Sequence, residues 1–199
     1  MTSAIKITQR NITERLKREI AVETLQKILV CDFRTGKLIW ANRPKEMFSM
    51  GHYNSQQQNC SIWNSRFSGK PAFTTQSSHG YLCGTLFSIK YRAHRVIWAL
   101  HAGAWSIDDI DHINGNRSDN RIVNLREATR SQNLMNSCVR SNNTSGLKGV
   151  SWAKERQKWN AYINANGIRK NLGYFETAEL AYAYYCAAAV DAHGDFRRL

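Results

Sequence analysis

The chain has 199 residues, 42% of them hydrophobic, which is enough for a real core but suits small modules better than one large domain. A formal net charge of +13 favours a polyanionic partner, of which nucleic acid is the commonest. No apolar run reaches membrane length, the N-terminus lacks the apolar core of a signal peptide, and the five scattered cysteines form no C-x-x-C pair, so neither a zinc knuckle nor a disulfide framework is expected and a reducing cytoplasm is.

Residues 11 to 29 read as a helix, with Asn11 and Glu14 as a capping pair and Ile12, Leu16, Ile20, Leu25 and Ile28 at roughly helical spacing. Its basic outer face reads as solvated surface. Two strands around a turn at Arg34 to Gly36 follow, and the polar stretch from Asn64 to Phe73 reads as a loop able to touch phosphate. Tyr81 to Ile89 reads as one strand and Ala93 to Ala102 as a short buried helix carrying Val96, Ile97 and Leu100. His94 and His101 on that helix are each open to two readings, packing with a structural hydrogen bond or a part in a site. Residues 141 to 146, SNNTSG, form a polar linker. Beyond it, Val150 to Trp152, Trp159 to Ala165 and Ile168 to Phe175 are three strands, the last two joined by Asn166-Gly167. Thr177 caps a closing helix, Glu179 suits its positive end and Gly194 ends it. The product is a three-stranded sheet with one covering helix and one free face.

Charge is distributed unevenly. Residues 31 to 107 carry nine basic and two acidic side chains, whereas 108 to 140 are neutral and begin with three aspartates within four residues, Asp108, Asp109 and Asp111. Carboxylates beside a polyanion repel it unless a cation sits between them, and a divalent metal is the economical explanation. Phosphodiester hydrolysis needs a water deprotonated, a phosphorane relieved of charge and a leaving oxygen stabilised. His112 can meet the first need and one ion the other two. Thr129 and Gln132 fit a capping box, placing Asn133 in the first turn of a helix where its carbonyl can face an ion. Asp111 and Asn133 offer oxygens alone, which suits Mg²⁺ or Mn²⁺ better than zinc. Asn124 reads as a side chain tying the loop to the hairpin, and Arg126 and Arg130 as phosphate contacts.

At these residues the chain resembles the HNH nucleases, in the branch seen in phage homing endonucleases, through "HRV…DHINGN…DNRIVNLREATRSQN". The three signature positions fall on His112, Asn124 and Asn133, the last an asparagine in place of histidine. The resemblance implies a ββα-metal core in which His112 is the general base, Asp111 and Asn133 hold one divalent ion, and Asn124 orients the loop carrying the base. His94 matches a recurring upstream histidine with a supporting role. It further implies double-stranded DNA as substrate and a phage or bacterial host cell as the setting.

Residues 146 to 197 resemble the ethylene-response-factor type of DNA-binding domain through "KGVSWAKERQKWNAYI" and "LGYFETAELAYAYYCAAAVDAHG". That family lays its sheet in the major groove, and alternation together with the motif match selects Trp152, Lys154, Arg156, Trp159, Arg169 and Lys170 as contacts. For Trp159 a core position is an equal alternative.

The expected architecture is therefore α+β: an N-terminal helix and strand-rich extension over 1–92, a nuclease core over 93–140, a linker over 141–146 and a DNA-binding domain over 147–199. The expected activity is metal-dependent DNA cleavage of homing type, by a monomer that nicks or a homodimer that breaks both strands. The competing class is a DNA-binding regulator with an inactive core; RNA binding ranks below both, since no aromatic strand motif of single-strand RNA modules is present.

Overall fold

A computed structural model describes residues 19–50, 55–137, 139, 143–165 and 167–196. The predicted cap at Asn11 and Glu14, the apolar positions Ile12 and Leu16, part of the linker at Ser141 and Asn142, and Asn166 of the predicted hairpin turn lie outside the described residues. The chain is mixed α and β with small antiparallel sheets, in two compact units, Met1–Arg126 and Glu127–Leu199. The division falls N-terminal to the predicted linker, inside the stretch expected to form one nuclease core.

In the first unit, helix α1 (Val22–Ile28) buries Val22, Leu25 and Ile28 and runs into the hairpin β1 (Leu29–Asp32) and β2 (Lys37–Trp40). Asp32 builds the turn: Oδ1 accepts the N–H groups of Arg34 and Thr35, and Oδ2 accepts the Thr35 hydroxyl at 2.7 Å. Helix α2 (Gln56–Phe67) corrects the expectation of a loop from Asn64. Ser55 and Gln58 cap it reciprocally, and its polar sequence buries only Cys60 fully, so no apolar stripe signals it.

Strand β3 (Pro71–Ala72) adds to β2, while β4 (Thr75–Gln76), β5 (Leu82–Leu86) and β6 (Ile89–Arg92) form a second sheet. The single strand expected over Tyr81 to Ile89 is thus a hairpin, turned at Phe87 and Ser88 with φ of 47° and 64°. Two left-handed residues suit a two-residue hairpin turn, but without glycine or asparagine no sequence signal marked it. Helix α3 (Ala93–Ala102) spans the predicted residues and buries Ala93, His94, Val96, Ile97 and Ala99. The core joins Leu25, Ile28, Leu38, Leu86, Val96, Ile97, Ile110 and Leu125.

Strands β7 (Asp109–His112) and β8 (Leu125–Ala128) form a two-stranded sheet. In the second unit, helix α4 (Arg130–Met135) begins with the Thr129–Gln132 capping box, and the Lys148 ammonium donates to the carbonyls of Met135 and Ser137 at its end. Strands β9 (Val150–Ala153), β10 (Lys158–Ala165) and β11 (Ile168–Phe175) form an antiparallel sheet with β10 central. Pairing runs Ala161 to Gly173 and then Tyr162 to Asn171, which leaves Leu172 as a bulge. Helix α5 (Ala178–His193), capped by Thr177, covers one sheet face through Ala181, Tyr185 and Ala189.

Candidate functional site

The loop between β7 and β8 is tied by side chains that compete with regular structure. Asn124 accepts the Asn114 N–H at 3.0 Å through Oδ1, and its Nδ2 donates to Asn114 Oδ1 at 3.0 Å and to the Asp119 carbonyl at 2.8 Å. Asp119 takes two bonds from the Arg121 guanidinium, at 2.8 and 2.7 Å, and one from Asn114 Nδ2 at 2.8 Å. Hydrogen bonding from Arg121 lowers the Asp119 carboxyl to about 2, so the loop's ties stay ionised at every pH where a histidine base works.

This loop delivers Asn120, 2% exposed, to the ring of His112, 3% exposed. His112 Nε2 lies 3.0 Å from Asn120 Oδ1. With Asn120 Oδ1 as the acceptor, Nε2 is the donor, the tautomer that leaves the lone pair of the neutral ring at Nδ1. The Nδ2 of Asn120 is buried without a partner, a penalty of about 1–3 kcal/mol. The arrangement therefore fixes the ring's direction at a cost in stability. Burial lowers the pKa of His112 from 6.5, with Arg117 acting in the same sense and Asn120, Asp111 and Asp119 opposing. The imidazole is neutral at neutral pH.

Three rings meet at His112. His94 lies edge-on at 4.8 Å between centroids and Tyr81 at 6.0 Å, with Tyr81 and His94 themselves 5.1 Å apart. Burial holds His94 well below 6.5, so it packs against His112 as a neutral ring and adds no charge. The guanidinium carbons of Arg92 and Arg117 sit 4.5 and 5.0 Å from the Tyr81 centroid. Sequence reasoning missed Tyr81, Arg92, Arg117 and Asn120. Only Asn120 carried a signal, as one of three asparagines between His112 and Asn124.

Asp111, 6% exposed, is the buried carboxylate next to His112. Arg126 donates to its Oδ2 from both Nε and Nη2 at 3.0 Å. Arg126, expected as a phosphate contact, is thus engaged by Asp111. His101 stands apart from this group, 5.3 Å from the ring of Phe33. Asn133 and Arg130 belong to the second unit, in the first turn of α4, where Arg130 is exposed and Asn133 half-buried. Among the described residues no three histidine, cysteine, aspartate or glutamate side chains gather as a metal cage. The donors near His112 are hard oxygens, which fit an ion held by few protein ligands and otherwise by water and phosphate.

The β1–β2 turn and the neighbouring loop brace this site from the N-terminal side. Ile122 N–H donates to the Phe33 carbonyl at 3.0 Å, and Gly36, at φ 67°, lies so close that a Cβ there would stand 2.3 Å from Asn120 C. Arg117 Nη1 donates to the His79 carbonyl at 3.0 Å.

On the C-terminal sheet, register divides the predicted DNA contacts. Trp152 faces Trp159 across β9 and β10, in line with Val150 facing Ala161, so both tryptophans lie on the side that α5 covers. Trp159 packs against the core while Trp152, 42% exposed, meets it edge-to-face at 5.2 Å. Lys170 pairs with buried Ile163 on that side; Lys154 is exposed in the β9–β10 turn. The free face carries Asn160, Tyr162, Arg169, Asn171 and Tyr174. Arg169 stacks 3.6 Å from the Tyr162 centroid and Arg156 4.4 Å from Tyr174, and Asn160 Nδ2 donates to Asn171 Oδ1 at 2.7 Å. The tyrosines and asparagines are additions to the expected set.

The family model described as HNH endonuclease matches residues 91–135. Protein 3.8 of Escherichia phage T7 is 38% identical over 89 residues, covering 45% of this chain and 73% of that protein. An uncharacterized HNH endonuclease of Acanthamoeba polyphaga mimivirus is 34% identical over 109 residues, 54% of this chain and 56% of that protein. No solved structure matches the chain. Among the described residues no helix is long and apolar enough to cross a membrane.

Proposed function

We propose, for a chain that belongs to the family of Protein 3.8 of Escherichia phage T7 and carries an HNH endonuclease domain at residues 91–135, that it is a metal-dependent DNA endonuclease of homing type. The observation that carries this reading is the coincidence of that domain with a buried Asp111–His112 pair whose imidazole is held by Asn120. His112 takes the proton of the attacking water at Nδ1 while Asn120 keeps its ring in place. Asp111 holds the divalent ion, Mg²⁺ or Mn²⁺, which supplies charge for the phosphorane and the leaving oxygen. Asn133 joins it as a ligand on the strength of the domain match, which runs to residue 135; the β7–β8–α4 chain order supports a ββα-metal reading of this segment. Arg92 and Arg117, fixed on Tyr81, offer phosphate contacts beside the base. Incubating the protein with supercoiled plasmid in Mg²⁺ or in EDTA tests the reading: relaxed or linear product in Mg²⁺ alone supports it, and equal product in both, or none on DNA containing its target, opposes it.

Replacing Asp111 has a separate expected result. Asp111→Ala should raise the Mg²⁺ concentration needed for half-maximal cleavage by at least tenfold, because one buried carboxylate supplies the charged protein ligand. An unchanged Mg²⁺ titration would remove Asp111 from the ligand set.

The C-terminal unit serves target recognition in this proposal. Its free sheet face presents two stacked arginine–tyrosine pairs and an asparagine pair, donors and acceptors of the kind that read base edges. Arg156→Ala with Arg169→Ala should flatten the preference among cleavage sites in phage genomic DNA while leaving the plasmid nicking rate within about threefold. A cleavage pattern identical to the parent's would dissociate this face from site choice.

A further inference from the structure

N-terminal to the HNH domain, the first unit builds a cation that the proposed chemistry does not use. Arg43 follows β2 and is clamped to α2 through its backbone. Its N–H donates to Asn64 Oδ1 at 2.9 Å, and its carbonyl accepts from Asn64 Nδ2 at 3.0 Å and from Cys60 Sγ at 3.3 Å. Its guanidinium carbon lies 3.9 Å from the Trp63 ring centroid, 5.0 Å from Trp40 and 5.7 Å from Phe87. The rings support each other, with Trp40 and Trp63 edge-to-face at 5.5 Å and Phe67 5.1 Å from Trp63.

Such a setting uses the faces of the guanidinium and leaves its in-plane donors to be satisfied. The Nε of Arg43 is buried without a hydrogen-bond partner. Its pKa is lowered by burial alone, with no carboxylate acting on it, and among the described residues no ion pair joins it. Arg66 repeats the theme one ring further on, 5.2 Å from Phe67, and both lie in the most basic segment of the chain, nine cations to two anions over residues 31–107. A half-desolvated cation without a counter-ion, with its backbone and plane already fixed, loses little freedom when an anion arrives. Its forked edge matches two oxygens of one phosphate.

We propose that Arg43 is a preset phosphate anchor that takes a backbone phosphodiester of duplex DNA outside the HNH domain. The inference rests on the reading that this chain acts on DNA, and it adds a contact of positioning character that carries no sequence information. A stack that merely braced the rings would bind no phosphate.

The full-length protein in EDTA, titrated with a short DNA duplex across a salt series, decides the matter without turnover. Loss of one phosphate contact should make the slope of log K against log salt shallower by about 0.9 and weaken binding about fivefold at roughly 0.15 M salt. Arg43→Gln is expected to do both, equally on unrelated sequences. An Arg43→Gln protein with the parent's slope and affinity, whatever its melting temperature, overturns the proposal. Should the variant not fold, the parent protein answers instead through phenylglyoxal modification of its arginines, read by mass spectrometry. Protection of the Arg43 peptide by duplex supports the anchor, and equal modification with and without duplex overturns it. Parent protein that binds duplex but never cuts would sink the nuclease reading alone and leave the anchor standing.

Discussion

His112→Ala is expected to reduce plasmid cleavage by ~10²–10⁴-fold, the usual worth of a positioned general base, while leaving duplex binding within about twofold. His112 is buried and faces Asn120, Tyr81 and His94, so its side chain contributes little to the surface that would meet phosphates. Loss of binding together with cleavage would assign His112 a structural role, and full activity would remove it from the chemistry. The parent's pH profile supplies a second readout. Burial lowers the pKa of the imidazole from 6.5, and the neutral form is the active one. Cleavage should therefore rise through a limb centred below pH 6.5 and be level at neutral pH; a cation bound beside the ring shifts the limb further in the same direction. A limb above pH 6.5 would mean that the titrating base is another group.

Much of this site was legible in the residues because its parts are local. The Thr129–Gln132 capping box, the turn at Arg34 to Gly36 and the Asn124 ties each act within about ten positions, and residue type plus spacing implies them. Asn120 was not legible, since three asparagines lie between His112 and Asn124 and only the tertiary closure selects the one that reaches His112. The pairing of Arg126 with Asp111 was not legible for a related reason. Fifteen residues separate the two, and the strand pairing that joins them leaves no trace in composition. On the C-terminal sheet, alternation assigned the free face from motif resemblance, whereas the pairing of Trp152 with Trp159 beside Val150 and Ala161 places both indoles on the covered side. Helix α2 escaped because a polar helix held by one capping box and a row of rings has no apolar period to read.

Substituting a residue that touches neither base nor phosphate tests whether the N-terminal hairpin holds the site together. Gly36 sits at φ 67° in the β1–β2 turn, and a Cβ there would come within 2.3 Å of Asn120 C, 2.5 Å of Arg121 N and 2.6 Å of Asn120 O. All three are backbone atoms, which cannot swing aside as a side-chain tip can. Gly36→Ala therefore carries about 1–2 kcal/mol for the left-handed conformation and must also push the Asn120–Arg121 segment away. The melting temperature should fall by about 5 °C or more. Moving Asn120 releases the contact that holds His112 Nε2, at 3.0 Å, and a displacement of roughly 1 Å at a reacting group costs ~10²-fold. The expected result is a fall in kcat of that order with the KM for plasmid little changed, measured well below the variant's melting temperature, where the chain is folded. Gly36→Ala that is less stable yet cleaves at the parent's rate would show that the hairpin supports the fold without setting the direction of the base. A fall in kcat that Asn120→Ala reproduces and does not deepen in the double variant would place both residues on one path to the His112 ring.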